Sequence, residues 1–595
     1  MFDNIADHTF CLEANRNETR SLGLLRACEY RDYASDEEPE GGGSAWRVAP
    51  STAFARRTTK SPDPILQNDI ESQALALTAP CISGTFDVPH PAQVILTIFS
   101  VQLRLLMTDT GSTGRIDRKL TAAARKILFA RKLDDQIDEE MPFICRIDCA
   151  HLLMLAECQI VSSEKAQKLL RALQTLAGQQ FAPLRARPSE RGLFLLYEHY
   201  LIETEGSAVG GVLQTARSRN DLGATLLRLR LRRPCCELIN AALRLQAVLV
   251  KRAHAYASMV MPAYTHGQPA EPITYGHYLA GVAQAIRRDI DGILESIKEI
   301  DTCPLGAAAI AGTSLPIDTE RTASLLGFTQ CSANSIDAVA SRDVVLRLLA
   351  ATAIYATTLS RIATDLLQWL TSEFQFLQAP DEIVGSSSAM PQKRNPFLLE
   401  HVQGRTSTAL GAFTQALAAT RNTPFSNSIA VGTESVRTVW DAVQDTIDAT
   451  ILLRLVLFHA KPRPERMLQR AAESFTNATA LATRMSIERA MDFRSAHHQV
   501  GRAVKEAMAR GMKSLLELVQ EDPNALPVSL EHMDPGSCVD RSRYGGGPAP
   551  ESNAAQLVQL RRSWIDQHRR ILDQAGRWTG AQIKLEQEVR NFVEF

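Results

Sequence analysis

Three short stretches of the chain gather residues that could do chemistry. "GSSSAMPQKRNP", Gly385 to Pro396, sets three serines ahead of Met390-Pro391 and follows them with Lys393 and Asn395. A cation and an amide beside a hydroxyl can stabilise a developing anion, and the small residues allow the segment to close over a ligand. The GxSxG elbow of serine acyl transfer is absent from this stretch. "ARSRND", Ala216 to Asp221, stands where a helix should start. It reads either as a capped helix with solvated arginines, capped by Asn220 or Asp221, or as a carboxylate clamp of arginine and helix-terminal amides. "MPAYTHGQPAEP", Met261 to Pro272, places Thr265 and His266 in a turn between helices, with Gln268 two residues on. A lone turn histidine is usually satisfied by backbone; one oriented by a carboxylate can move a proton near neutral pH.

The elements that must position these residues read as helices. Asn395 and Pro396 suit the N-cap and first position of a helix, which puts Glu400 one turn inside it, near the serine loop. From about Arg115 onward apolar residues recur at helical spacing, with a start signal at Ser162-Ser163-Glu164 and another helix opening at Pro272. Ser341 to Leu377 contains no proline or glycine and is apolar around much of its circumference. A continuous helix there would exceed about 50 Å, so it must be buried in a bundle, and its length argues for oligomerisation. Strand signals are sparse, and no glycine pattern for a nucleotide follows a strand.

At 595 residues the chain is too long for one core, which predicts two to four domains. Residues 1 to about 85 are polar, include the acidic "SDEEPEGGGS" (Ser35 to Ser44), and read as an extension or linker. A formal net charge of −1 gives no pull toward nucleic acid or anionic lipid. The most apolar early segment, Val94 to Met107, contains Gln102 and Arg104 and is shorter than the ~20 residues of a membrane helix. No secretory signal opens the chain. Eleven cysteines, none in a CxxC pair, suit reduced thiols in the cytoplasm better than disulfides or zinc, so neither metal nor cofactor is expected.

Taken together and in this order, the motifs carry a resemblance. "GSSSAMPQKRNP" resembles the signature loop of the aspartase/fumarase superfamily, in outline GSSxMPxKxNP. "TARSRND" and "YTHGQPAEPITYGHYL" look like its other two signature regions in the argininosuccinate lyase version. "IDCAHLLMLAECQI", "FRSAHHQVGRAV" and "GGGPAP" are similar to further parts of that family, and the likeness runs roughly from Gly114 to Leu572. It implies an all-α, three-domain subunit with a central long-helix bundle, assembled as a homotetramer whose active sites collect the three regions from different subunits. The expected boundaries are 1–110 for the extension, 111–213, 214–464 for the bundle, and 465–595. The implied reaction is reversible β-elimination of fumarate from a small-molecule N-succinyl substrate. Counting three positions back from Met390 gives Ser387 as base, with Ser386 as the alternative if the register slips. Lys393 and Asn395 would hold the dianion, and Ser218, Arg219, Asn220, Thr265 and Gln268 the carboxylates. His266, oriented by Glu400, would serve the leaving nitrogen.

The chain departs from the family in two places. "QTARSRNDL" stands where the family usually reads "HTGRSRNDQ", with Gln214, Ala216 and Leu222. "FSNSIAVGT" replaces the family's "YNKDLQEDK", so Phe425, Ala430 and Thr433 take the places of a tyrosine, glutamine and lysine that help bind substrate. A polar group left without its partner there would typically cost ~1–3 kcal/mol. The expectation is a carbon–nitrogen lyase with altered specificity for the amine half, in specialised metabolism. An authentic argininosuccinate lyase of arginine biosynthesis and a silent, crystallin-like structural homologue are the alternatives.

Overall fold

The computed structural model describes residues 118–130 and 132–594; the extension, the acidic run and the Val94–Met107 segment lie outside them. The described chain is mostly helical, with a few short strands. Helix α1 (Met141–Glu157) carries a proline in its first turn and buries Ile144, Ile147, Leu152 and Leu155. Helix α2 (Ser163–Gly178) starts where the Ser-Ser-Glu signal predicts. Its buried Ala166, Leu169, Leu170, Leu173 and Leu176 form one stripe against α1, leaving the polar face outward. Helix α3 (Leu193–Glu205) adds Tyr197 and Leu201 to the same core.

The long helices follow. Helix α4 (Arg219–Ala255) runs for 37 residues and passes through Pro234. Proline removes one helical hydrogen bond; the buried stripe Leu227, Leu231, Cys235, Leu238, Ala242 continues across it and keeps the axis in the core. A hairpin of β1 (Val260–Thr265) and β2 (Gln268–Thr274) comes next, so the Thr265-His266 turn joins two strands rather than two helices. The next helix, α5 (Tyr275–Ser296), begins three residues after Pro272, because Thr274 caps it through a hydroxyl that accepts from His277 N at 2.9 Å. Gly276 lets α5 approach α4: a Cβ there would collide with the Ala253 carbonyl.

A short helix α6 (Ser335–Ala340) precedes α7 (Asp343–Leu370), α8 (Phe397–Thr420) and α9 (Val439–His459). The continuous helix expected over Ser341 to Leu377 is 28 residues, about 42 Å, since the chain turns out at Thr371 and forms a short strand at Leu377. Helices α7, α8, α9, α4 and α5 pack as neighbours in one bundle. Helix α10 (Phe493–Ala509) belongs to a separate apolar cluster with Leu481, Met485, Leu515 and Leu518. The 45-residue helix α11 (Pro550–Glu594) returns along α4 and α5. The described cysteines are all free thiols.

Candidate active site

Ser218, not Asn220 or Asp221, caps α4. Its backbone is extended, its hydroxyl accepts from Asn220 N at 3.3 Å, and Asp221 Oδ1 accepts from Ser218 N at 2.9 Å. This reciprocal capping box orients the first turn. The other oxygen of Asp221 accepts from Gly306 N at 3.1 Å and Ala308 N at 2.8 Å, which ties the 306–312 loop to the helix start. Burial pushes the Asp221 carboxyl up, and the backbone donors oppose that shift.

The two arginines of the motif separate. Arg217 turns inward and pairs with Asp148 at 2.5 Å, both side chains fully buried, while Tyr197 donates to the second Asp148 oxygen at 2.6 Å. Arg219 faces out and lines a cleft of about 480 Å³ with Ser218, Gln214, Glu198 and the Ala308–Gly312 strip. Asn220 donates from Nδ2 to the Ala309 carbonyl at 2.8 Å and accepts at Oδ1 from Asn427 Nδ2 at 2.8 Å. The region that departs from the family pattern therefore touches the first motif within one chain. Asn427 was not singled out from the sequence; only proximity reveals it.

The second motif sits at the hairpin tip. Thr265 pairs with Gln268 around the two-residue turn His266-Gly267, whose φ values of 53° and 73° are the paired left-handed conformations of a tight hairpin turn. Thr265, His266 and Gln268 are exposed. Tyr264 anchors the hairpin against Phe374 and Phe376, with ring centroids at 5.6 Å and 6.3 Å, just ahead of the serine loop.

The third motif is a loop tied at its neck. Gly385 and Asn395 exchange backbone hydrogen bonds, each 2.8 Å, and Lys393 N donates to the Met390 carbonyl at 3.0 Å. Gly385 lies under Phe397, whose ring a Cβ would approach to 3.2 Å. Arg394 secures the neck through Asp381 and the Ala379 carbonyl. Among the three serines, Ser387 alone has its hydroxyl oxygen on backbone amides, accepting from Met390 N at 3.1 Å and Ala389 N at 3.4 Å. Helix α8 begins at Phe397, so Pro396 takes the flanking position expected of Asn395, and no side chain caps it. Lys393 and Glu400 are exposed and form no ion pair among the described residues.

The motifs do not converge within one chain. Ser218 starts α4 and the hairpin follows its far end, 37 residues or about 55 Å away. The serine loop starts α8, while the 425–433 segment follows its other end, 24 residues or about 36 Å away. His266 and Glu400 make no side-chain hydrogen bond with each other in the described chain.

Residues 151–411 match the lyase family profile and residues 475–534 that of the argininosuccinate lyase C-terminal region. Argininosuccinate lyase 1 of Shouchella clausii is 32% identical over 472 residues, 77% of this chain and 95% of that protein. The Methanoculleus marisnigri argininosuccinate lyase is 35% identical over 428 residues, covering 70% and 86%. Among solved structures, EDDS lyase in complex with formate superposes with a TM-score of 0.71 at 30% identity, over 82% of this chain and 99% of that one. An EDDS lyase variant with bound fumarate gives 0.71 at 29%, covering 81% and 97%. The chain belongs to the argininosuccinate lyase family of the aspartase/fumarase superfamily, and it is a carbon–nitrogen lyase.

Proposed function

We propose that the protein catalyses reversible β-elimination of fumarate from an N-succinyl amino or guanidino compound whose amine half differs from that of argininosuccinate. Ser387 takes the proton from the carbon beside a carboxylate. The electron pair is held as an aci-carboxylate dianion by Lys393 and Asn395, then forms the C=C bond as the C–N bond breaks. His266, oriented by Glu400, supplies the proton to the leaving nitrogen. Ser218, Arg219, Asn220, Thr265 and Gln268 hold the carboxylates.

The observation that carries this reading is the setting of Ser387. Two backbone amides on its oxygen stabilise negative charge there, and the loop that bears it also presents an unpaired lysine. The distances along α4 and α8 support a homotetramer in which copies share each site. Ile354, Leu410 and Leu417, exposed on α7 and α8 at 63%, 58% and 43%, offer apolar surface for it. The proposed domains are 111–213, 214–464 and 465–595, with 1–110 as an appended element. Free thiols fit a cytoplasmic setting.

The test is incubation with argininosuccinate and a panel of N-substituted aspartates, following fumarate by ultraviolet absorbance. Fumarate from a panel member in preference to argininosuccinate is expected. Ser387→Ala should lower kcat by at least about 100-fold while fumarate still protects the fold thermally. No fumarate from any compound at high enzyme concentration would sink the reading. The identity to curated argininosuccinate lyases favours a second one, the authentic enzyme, which the same panel would reveal by preference for argininosuccinate.

A further inference from the structure

Between the short turn that ends at Gln214 and the start of α4 at Arg219, residues 215–218 belong to no helix or strand. Gln214, Arg217, Ser218 and Arg219 line the cleft together. The path of this bridge therefore decides where the Ser218 and Arg219 side chains point.

The bridge contains a strained residue. Ala216 has a φ of 60°, in the left-handed region where a Cβ crowds the following carbonyl. The family pattern has glycine at this place, and glycine adopts that conformation freely. An alanine persists there only where its surroundings over-determine the backbone.

The restraint comes from α1, on both sides of Ala216. His151 Nε2 donates to the Thr215 carbonyl at 2.9 Å, and Arg217 Nη1 donates to Asp148 Oδ1 at 2.5 Å. Asp148 and His151 stand at i and i+3, on one face of the helix, and are 0% and 1% exposed. Tyr197 of α3 donates to the second Asp148 oxygen at 2.6 Å. The Arg217 backbone closes the turn by donating to the Gln214 carbonyl at 3.3 Å. A buried ion pair brings little net stability over apolar residues of the same size. Here Arg217 Nε and Nη2 and His151 Nδ1 also stay without partners, so the network is a poor source of stability. Its geometry suits holding a segment in one path.

We propose that Asp148 and His151 are positioning residues of the lyase site. By holding Arg217 and Thr215 on either side of left-handed Ala216, they aim Ser218 and Arg219 into the cleft. Neither touches substrate. This rests on the reading above that Ser218 and Arg219 hold carboxylates of the fumarate-forming half, and it assigns their orientation to α1.

The experiment measures fumarate affinity directly by calorimetry, and KM and kcat for the best substrate of the panel. Asp148→Val with Arg217→Met and Tyr197→Phe exchanges the pair for apolar groups and leaves no buried hydroxyl without its acceptor. Its thermal midpoint should stay close to that of wild type. The fumarate Kd and the substrate KM should rise by about tenfold to hundredfold, with kcat within about fivefold. His151→Leu frees the Thr215 carbonyl and should raise the same two constants. His151→Gln can still donate to that carbonyl and should keep them within about twofold. This second pair keeps the test decisive where the triple variant does not fold. A Kd and KM within about twofold of wild type in the folded triple variant would overturn the positioning role. So would equal effects of His151→Leu and His151→Gln, or a loss carried by kcat alone. If wild type binds fumarate but releases it from no panel compound, the substrate reading falls alone and the Kd comparison still judges the positioning role. Wild type that binds no fumarate overturns both.

Discussion

His151 is 1% exposed beside Arg217, with one ring nitrogen on the Thr215 carbonyl at 2.9 Å and Nδ1 without a partner. Burial, and then the Arg217 charge, lower its pKa from 6.5 to about 3. The folded chain thus keeps it neutral over a range in which the unfolded chain binds a proton. Stability from this group is present above pH 6.5 and is lost as pH falls toward 3, by about 1.4 kcal/mol per pH unit. Denaturant unfolding at several pH values should show that slope, and His151→Gln should flatten it. The adjacent Asp148–Arg217 pair behaves differently. Asp148→Ala leaves a buried cation and should cost about 3–5 kcal/mol, whereas replacing both partners by apolar residues of similar volume should recover most of the loss. A single-variant loss that the double replacement does not recover would argue against this account. "ARSRND" showed two arginines but not their division of labour. The inward turn of Arg217 depends on Asp148, 69 residues earlier.

At the scale of elements, Asp221 joins the capping box of α4 to the 306–312 loop that walls the cleft. Asp221→Ala removes the carboxylate half of the capping box and leaves the Ser218, Gly306 and Ala308 amides without their acceptor. Unfolding measurements should show a cost on the order of 3 kcal/mol, and KM should rise as the loop loosens. A variant with unchanged KM would separate the loop from substrate binding. Helix existence was legible from periodicity, and α2 starts at its predicted signal. Boundaries were not, because Ser218, Asn220 and Asp221 can all cap a helix and only the Gly306 and Ala308 amides draw the Asp221 carboxylate inward. The hairpin at 260–274 escaped for a related reason: its strands are short and carry three prolines, Pro262, Pro269 and Pro272, so pairing rather than composition defines it.

For the whole molecule, the separation of the motifs by about 55 Å along α4 predicts an obligatory assembly. Light scattering should report four copies, and activity should fall on dilution below the assembly constant. Mixing two inactive variants, Ser387→Ala and Asn220→Ala, followed by dissociation and reassembly, should restore part of the activity, since some sites then draw both intact residues from different chains. No recovery from well-folded mixed assemblies would place the site within one chain.

The sequence by itself determined the helical class, the family-specific motifs and the chemistry they share, because residue type and short spacing encode proton transfer and charge stabilisation locally. It also marked 425–433 as a place where the chain departs from the family pattern. Only the tertiary structure decided what that departure faces. Asn427 lies against Asn220, 207 residues away, and Gly432 lies beside the buried Arg342. Such neighbours are set by how the ends of α4, α7 and α8 meet, and no local pattern carries that information.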